Sequence, residues 1–159
     1  MRQAENDPLL TLFNENWLAS CGGLFRSATV SPDYFDDAAQ YYEWTFFAFR
    51  LALERRIIFL DIPTFRVHDS PLSLSKTLAY STAEVHVLRR MLRFAMPARA
   101  RAALREKLSR AWHGLSDFHR QRGEMQPAWT CHARSLFYPG GLRYLSYTSR
   151  LFHRQIPMS

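Results

Sequence analysis

Apolar and polar positions follow two different rhythms in this chain. Leu9, Leu12 and Phe13 sit at helical spacing behind a polar start, which predicts a short helix. The run Cys21-Gly22-Gly23-Leu24-Phe25-Arg26 places two glycines before a short apolar stretch. That order suits a strand whose backbone passes close to something else. Ser31-Pro32-Asp33 and Phe35-Asp36-Asp37 read as a turn-rich acidic linker, with Asp36 or Asp37 available to cap the next helix. Tyr42, Phe46, Phe49 and Leu53 then recur at three- and four-residue steps and predict a helix over residues 38–55. Ile57-Ile58-Phe59-Leu60 is a compact β-branched and aromatic run that predicts a buried strand, and Asp61 and Pro63 open the loop leading to Ser75.

Beyond residue 75 the helical rhythm takes over. Leu78, Val85, Leu88 and Leu92 mark an amphipathic helix over residues 76–94. Pro97 breaks it, and a second helix rich in Ala, Leu and Arg is predicted from 98 to 120, ended by Gly123. Pro127 suits the first turn of a third helix reaching Phe137. Pro139-Gly140-Gly141 interrupts again before a short last helix over residues 142–152. The pattern therefore divides the chain into an α/β part, residues 1–75, and a helical extension, residues 76–159. Residues 104–137 look like one helical hairpin, with no fixed period to make an array.

Composition adds bounds. The 159 residues are about one domain's worth, and 47% apolar with 22% charged is an ordinary globular mix. The net charge of +7 favours anionic partners, among them nucleotide diphosphates, anionic lipid surfaces and nucleic acid. Arg89, Arg90, Arg93, Arg99, Arg101 and Arg105 supply much of that charge, but no nucleic-acid recognition motif accompanies them. Cys21 and Cys131 are far apart, without zinc spacing, and read as reduced packed thiols. No apolar run reaches the roughly 18 residues that span a bilayer. The expectation is a cytoplasmic site, with peripheral contact at the inner face of a membrane as an option.

Three stretches carry the candidate chemistry. They are Asn16-Trp17 through Arg26, Glu43 through Arg50, and Ile57 through Ser75. Small residues in the first let a ligand approach the backbone closely. A carboxylate at a helix start, as in the second, stays ionised easily and can remove a hydroxyl proton. Arg66 and His68 in the third offer a phosphate fork and a metal ligand.

In this order the three stretches resemble the C-terminal part of family 2 glycosyltransferases with the GT-A fold. The most specific match is Phe59-Leu60-Asp61, Pro63, Phe65-Arg66-Val67-His68 and Ser73-Leu74-Ser75. The resemblance implies the C-terminal half of a Rossmann-like α/β domain and transfer of a sugar from a nucleotide-sugar donor to a glycan or lipid-linked acceptor hydroxyl, with inversion. It implies Arg66, His68 and Ser75 on the donor diphosphate, with His68 also a metal ligand. Asn16, Trp17, Gly22 and Gly23 would line the sugar and acceptor side. The complete enzyme would use Mn or Mg.

The chain departs from the family pattern at two points. The family's aspartate base is missing at the helix start, where Glu43 is the only carboxylate; either Glu43 serves with a one-residue shift, or the base is absent. The Asp-x-Asp motif that supplies the main metal ligands is also missing, so a fragment or degenerate remnant, inactive alone, is expected. A half domain would expose a sheet edge and invite self-association. The alternative reading is a basic helical module that binds a protein, an anionic membrane surface or nucleic acid. His86, His113, His119, His132 and His153 read as solvated or capping residues.

Overall fold

The computed structural model describes residues 7–14, 16–18, 23–26, 28–59, 62, 66 and 76–152. Their regular structure is helical: α1 (Pro8–Asn14), α2 (Glu43–Glu54), α3 (Leu78–Met91), α4 (Ala98–Gln121), α5 (Met125–Leu136) and α6 (Thr148–Phe152). Short 3-10 turns lie at Pro32–Tyr34, Asp37–Ala39 and Gly141–Tyr147.

No strand forms among the described residues, and this corrects the α/β expectation. A β-branched run favours a strand only where a neighbouring strand completes its hydrogen-bond ladder. Neither predicted strand has such a neighbour among the described residues. Residues 23–26 run as irregular backbone with Leu24 fully exposed, and residues 57–59 do the same with Ile58 75% exposed. Their aromatic rings dock on other side chains instead: Phe25 sits edge-on to Phe47 at 4.9 Å, and Phe59 edge-on to Trp17 at 5.3 Å. The expected open sheet edge is likewise not formed among the described residues.

Helix starts follow local chemistry. The helix expected from residue 38 begins only at Glu43, because Tyr41 adopts a left-handed φ of 70° that a helix cannot continue through. Before it, Asp36 caps the 3-10 turn, its Oδ1 accepting from the Ala38 N–H at 3.0 Å. Thr77 caps α3 by accepting from the Tyr80 N–H at 3.2 Å. Gly123, at φ 76°, ends α4; its N–H donates to the Arg120 carbonyl at 2.9 Å, and the Glu124 N–H donates to the His119 carbonyl at 2.9 Å. The predicted last helix is a 3-10 turn followed by the five-residue α6.

One continuous core joins the two sequence halves. Phe13 of α1 and Phe46, Phe47 and Phe49 of α2 pack with Leu88 and Met91 of α3 and Leu104 and Leu108 of α4. Phe94, just past α3, closes over Phe46 and Phe49 at 5.8 and 5.5 Å. Helices α4 and α5 pack antiparallel through small residues. Ser109 donates to the Ser135 carbonyl and Ser116 to the Ala128 carbonyl, each at 2.7 Å and fully buried.

Candidate functional site

The first and second stretches meet at the start of α2. Asn16 Nδ2 donates to Thr45 Oγ1 at 3.2 Å, within the first turn that Glu43 opens. The first and third stretches meet where the Trp17 indole stands edge-on to Phe59. Trp17 is fixed by its own ring N–H, which donates to the Pro8 carbonyl at 2.8 Å. Behind these contacts lies an aromatic wall in which Phe35 stacks on Phe47 at 4.6 Å and meets Trp44 edge-on at 5.4 Å. Gly23 lets the Phe25 ring pack close to the backbone: a Cβ on it would come within 2.3 Å of that ring and 3.1 Å of Leu18, so the ring would have to shift.

Glu43 is half-buried, and its Oε1 accepts from the Tyr41 N–H at 3.0 Å. That bond holds the left-handed Tyr41 turn, so the carboxylate has a local structural role at the helix start. Arg66 is exposed. Gly22, His68 and Ser75 lie outside the described residues, as does Cys21. The structure thus brings together Asn16, Trp17, Gly23 and the helix that Glu43 begins, around aromatic side chains from all three stretches.

Among the described residues no group of three or more His, Cys, Asp or Glu side chains is arranged to hold a metal ion. The expected metal ligand His68 lies outside them. No described helix is long and apolar enough to cross a membrane.

Two features escaped the sequence reading. The histidines are not all solvated. His132 is only 2% exposed, with Nε2 at 2.8 Å from Thr148 Oγ1, and His113 stacks on Tyr144 at 3.9 Å. Burial pushes both imidazoles below the ordinary histidine range.

The second feature is a polar cleft of about 310 Å³ where the end of α1 meets α3 and α4. Glu84 and Lys107 face into it together with Arg110. Burial raises the Glu84 carboxyl pKa against the pull of Lys107 and Arg110, and it lowers that of the Lys107 ammonium against the pull of Glu84. The signal was present in the sequence. Glu84 shares a helical stripe with buried Leu88 and Met91, and Lys107 one with Leu104 and Ala111. A charge on an apolar stripe marks a position that is neither core nor open surface.

No protein-family model, curated protein or solved structure matches this chain.

Proposed function

We propose that this chain is the acceptor-side, C-terminal segment of a glycosyltransferase that moves a sugar from a nucleotide-sugar donor to an acceptor hydroxyl, and that it does not turn over alone. The observation that supports this is the meeting of the three stretches that carry the family resemblance. They are separated in sequence, yet Asn16 bonds to Thr45 and Trp17 packs on Phe59. The reading rests on residue identity and convergence, and not on a sheet.

In this reading Trp17 offers an aromatic face for a sugar ring, and Asn16 is a polar group beside it. Glu43 accepts the acceptor's hydroxyl proton as the oxygen bonds to the anomeric carbon and the nucleoside diphosphate departs. The Glu43 Oε2 oxygen makes no hydrogen bond to a described residue and can take the proton while Oε1 keeps the Tyr41 turn. Arg66, His68 and Ser75 serve the leaving diphosphate, whose growing charge cations stabilise. A divalent cation, when bound in the complete enzyme, would share that charge.

Calorimetric titration of the chain with a panel of nucleoside-diphosphate sugars and manganese tests the donor side. Weak saturable binding, with Kd on the order of 1 mM, is expected, and Arg66→Ala should abolish it. Absence of binding across the panel would remove the donor-side roles.

A further inference from the structure

The polar cleft at the end of α1 is lined by none of the residues of the three convergent stretches, although Glu84 lies near enough to Tyr42, at the start of α2, to raise its pKa. Its floor carries two cations fixed by one acceptor. Lys107 Nζ donates to the Phe13 carbonyl at 3.1 Å, and Arg110 Nη2 reaches the same oxygen at 3.5 Å. An ammonium has three donors and a guanidinium five, so each retains donors for another group. Glu84 faces them across the cleft. It makes no hydrogen bond or ion pair with any described residue, and its oxygens are not sealed from solvent. With Glu84 ionised, the three charges sum to one net positive charge. Asn14 and Ser81 add neutral hydrogen-bonding groups at the rim.

Gly114 supplies an independent observation. It lies inside the 24-residue α4, where glycine costs about 1 kcal/mol relative to alanine. Packing does not demand it, because a Cβ there would meet nothing within 4 Å. Its φ lies in the ordinary helical range. What Gly114 does is line the cleft and leave it open.

The geometry points to this cleft as a binding site for a small hydroxylated oxyanion, its phosphate or carboxylate held by Lys107 and Arg110 and its hydroxyl by Glu84. About 310 Å³ suits a compact ligand, at the lower end of the range of small-molecule pockets. Such a ligand engages the donors that Lys107 and Arg110 have left beyond the Phe13 carbonyl, and gives the Glu84 carboxyl a partner. The anion offsets the partly desolvated Lys107, and a hydroxyl donates to the unpaired Glu84 carboxylate or accepts from its protonated form. The site does not depend on the transferase reading, since it uses none of the residues assigned there.

The test titrates the full chain with glycerol 3-phosphate, glycerate, inorganic phosphate and glycerol, following amide shifts of residues 81–84 and 107–114 by NMR. The phosphate and carboxylate arms identify which oxyanion is preferred. Glycerol 3-phosphate or glycerate should bind at least about tenfold tighter than inorganic phosphate, and glycerol should not bind, if both halves of the site are used. Gly114→Leu should abolish binding while unfolding at the same or a higher temperature, since it adds apolar volume at the cleft lining, its Cβ meets nothing within 4 Å, and it removes the cost of a glycine inside a helix. Glu84→Gln should weaken the hydroxylated ligands and leave inorganic phosphate bound as before or better. The proposal is overturned if none of the oxyanions binds at about 10 mM, or if folded Gly114→Leu binds them as well as the parent chain.

Discussion

Two glycines show how differently the same residue works in this molecule. Gly141 is buried against α5, where an added Cβ would lie 2.3 Å from the Ser135 carbonyl and 2.8 Å from the Leu136 Cα. Backbone cannot yield as a flexible side chain does. Gly141→Ala should therefore destabilise the chain by about 1–3 kcal/mol, the usual cost of forcing extra volume into a packed site, which urea unfolding would read as a lower midpoint. Gly114, with open space before it, has no such constraint. The sequence alone places Gly141 in a helix break and Gly114 inside a predicted helix, but it does not show which tolerates a side chain, because that depends on a neighbour brought close only by folding.

The buried histidines belong to this scale too. His113 and His132 each bury an Nδ1 without a hydrogen-bond partner among the described residues. The groups around His113 include Asp117, Arg150, His132 and the rings of Tyr144 and Tyr147. Burial is the largest cause of the lowered pKa at both histidines. The unfolded chain then takes up protons first as pH falls through about 6.5, while the folded chain resists until its own lower pKa. Stability contributed by these residues is full above the ordinary histidine pKa and is lost as pH drops below it. The slope is at most about 1.4 kcal/mol per pH unit for each histidine. Urea midpoints measured between pH 7.5 and about pH 5 should fall in the parent chain and flatten in the double variant His113→Gln, His132→Gln. A midpoint rising toward pH 5 would contradict the sign.

Among the elements, the helices were legible in both parts of the chain, and the two expected strands were not found among the described residues. The break at Pro97, the end at Gly123 and the 98–120 helix were all visible in local chemistry, since α4 runs Ala98–Gln121 and Gly123 takes its positive φ. Proline and glycine act within one or two residues, so sequence shows their effect directly. The strands at residues 21–26 and 57–60 were inferred from composition, but a strand is a property of a pair and no pairing partner is present among the described residues. The α4–α5 contact was foreseen as a hairpin, but not the means of its close approach. Ser109 and Ser116, seven residues apart, present one face of α4 and bond two carbonyls of α5. Ser116→Ala should cost about 1 kcal/mol by removing a buried hydrogen bond, and Ser116→Leu considerably more by forcing the helices apart. Thermal melts of the two variants would check that order.

Across the molecule, the aromatic residues of the first part share one core with the leucines of α3 and α4, and a smaller cluster of Ala128, Tyr147 and Leu151 lies beside it at the end of the chain. Asn16, Trp17 and Gly23 were picked from sequence for the sugar side; Asn16 bonds to Thr45 at the start of α2, Trp17 packs on Phe59, and Gly23 lies against Phe25 and Leu18. Their convergence was not visible in sequence, because it depends on Trp17 anchoring to Pro8 and on Phe59 turning back onto Trp17. The Glu84–Lys107 cleft was missed for a similar reason. Its charges come from different helices and meet only once α3 and α4 pack.

An acceptor-side surface built on Asn16 and Trp17 is tested most sharply by NMR. The chain is uniformly nitrogen-labelled, so that backbone amides, the Trp17 indole and the Asn16 side-chain amide are all followed, and titrated with a panel of mono- and disaccharide acceptors. Saturable shifts at Asn16, Trp17, Glu43 and Thr45 are expected with at least one acceptor, lost in Trp17→Ala while the fold is retained. Unmoved signals at all four residues across the panel would contradict the acceptor-side role.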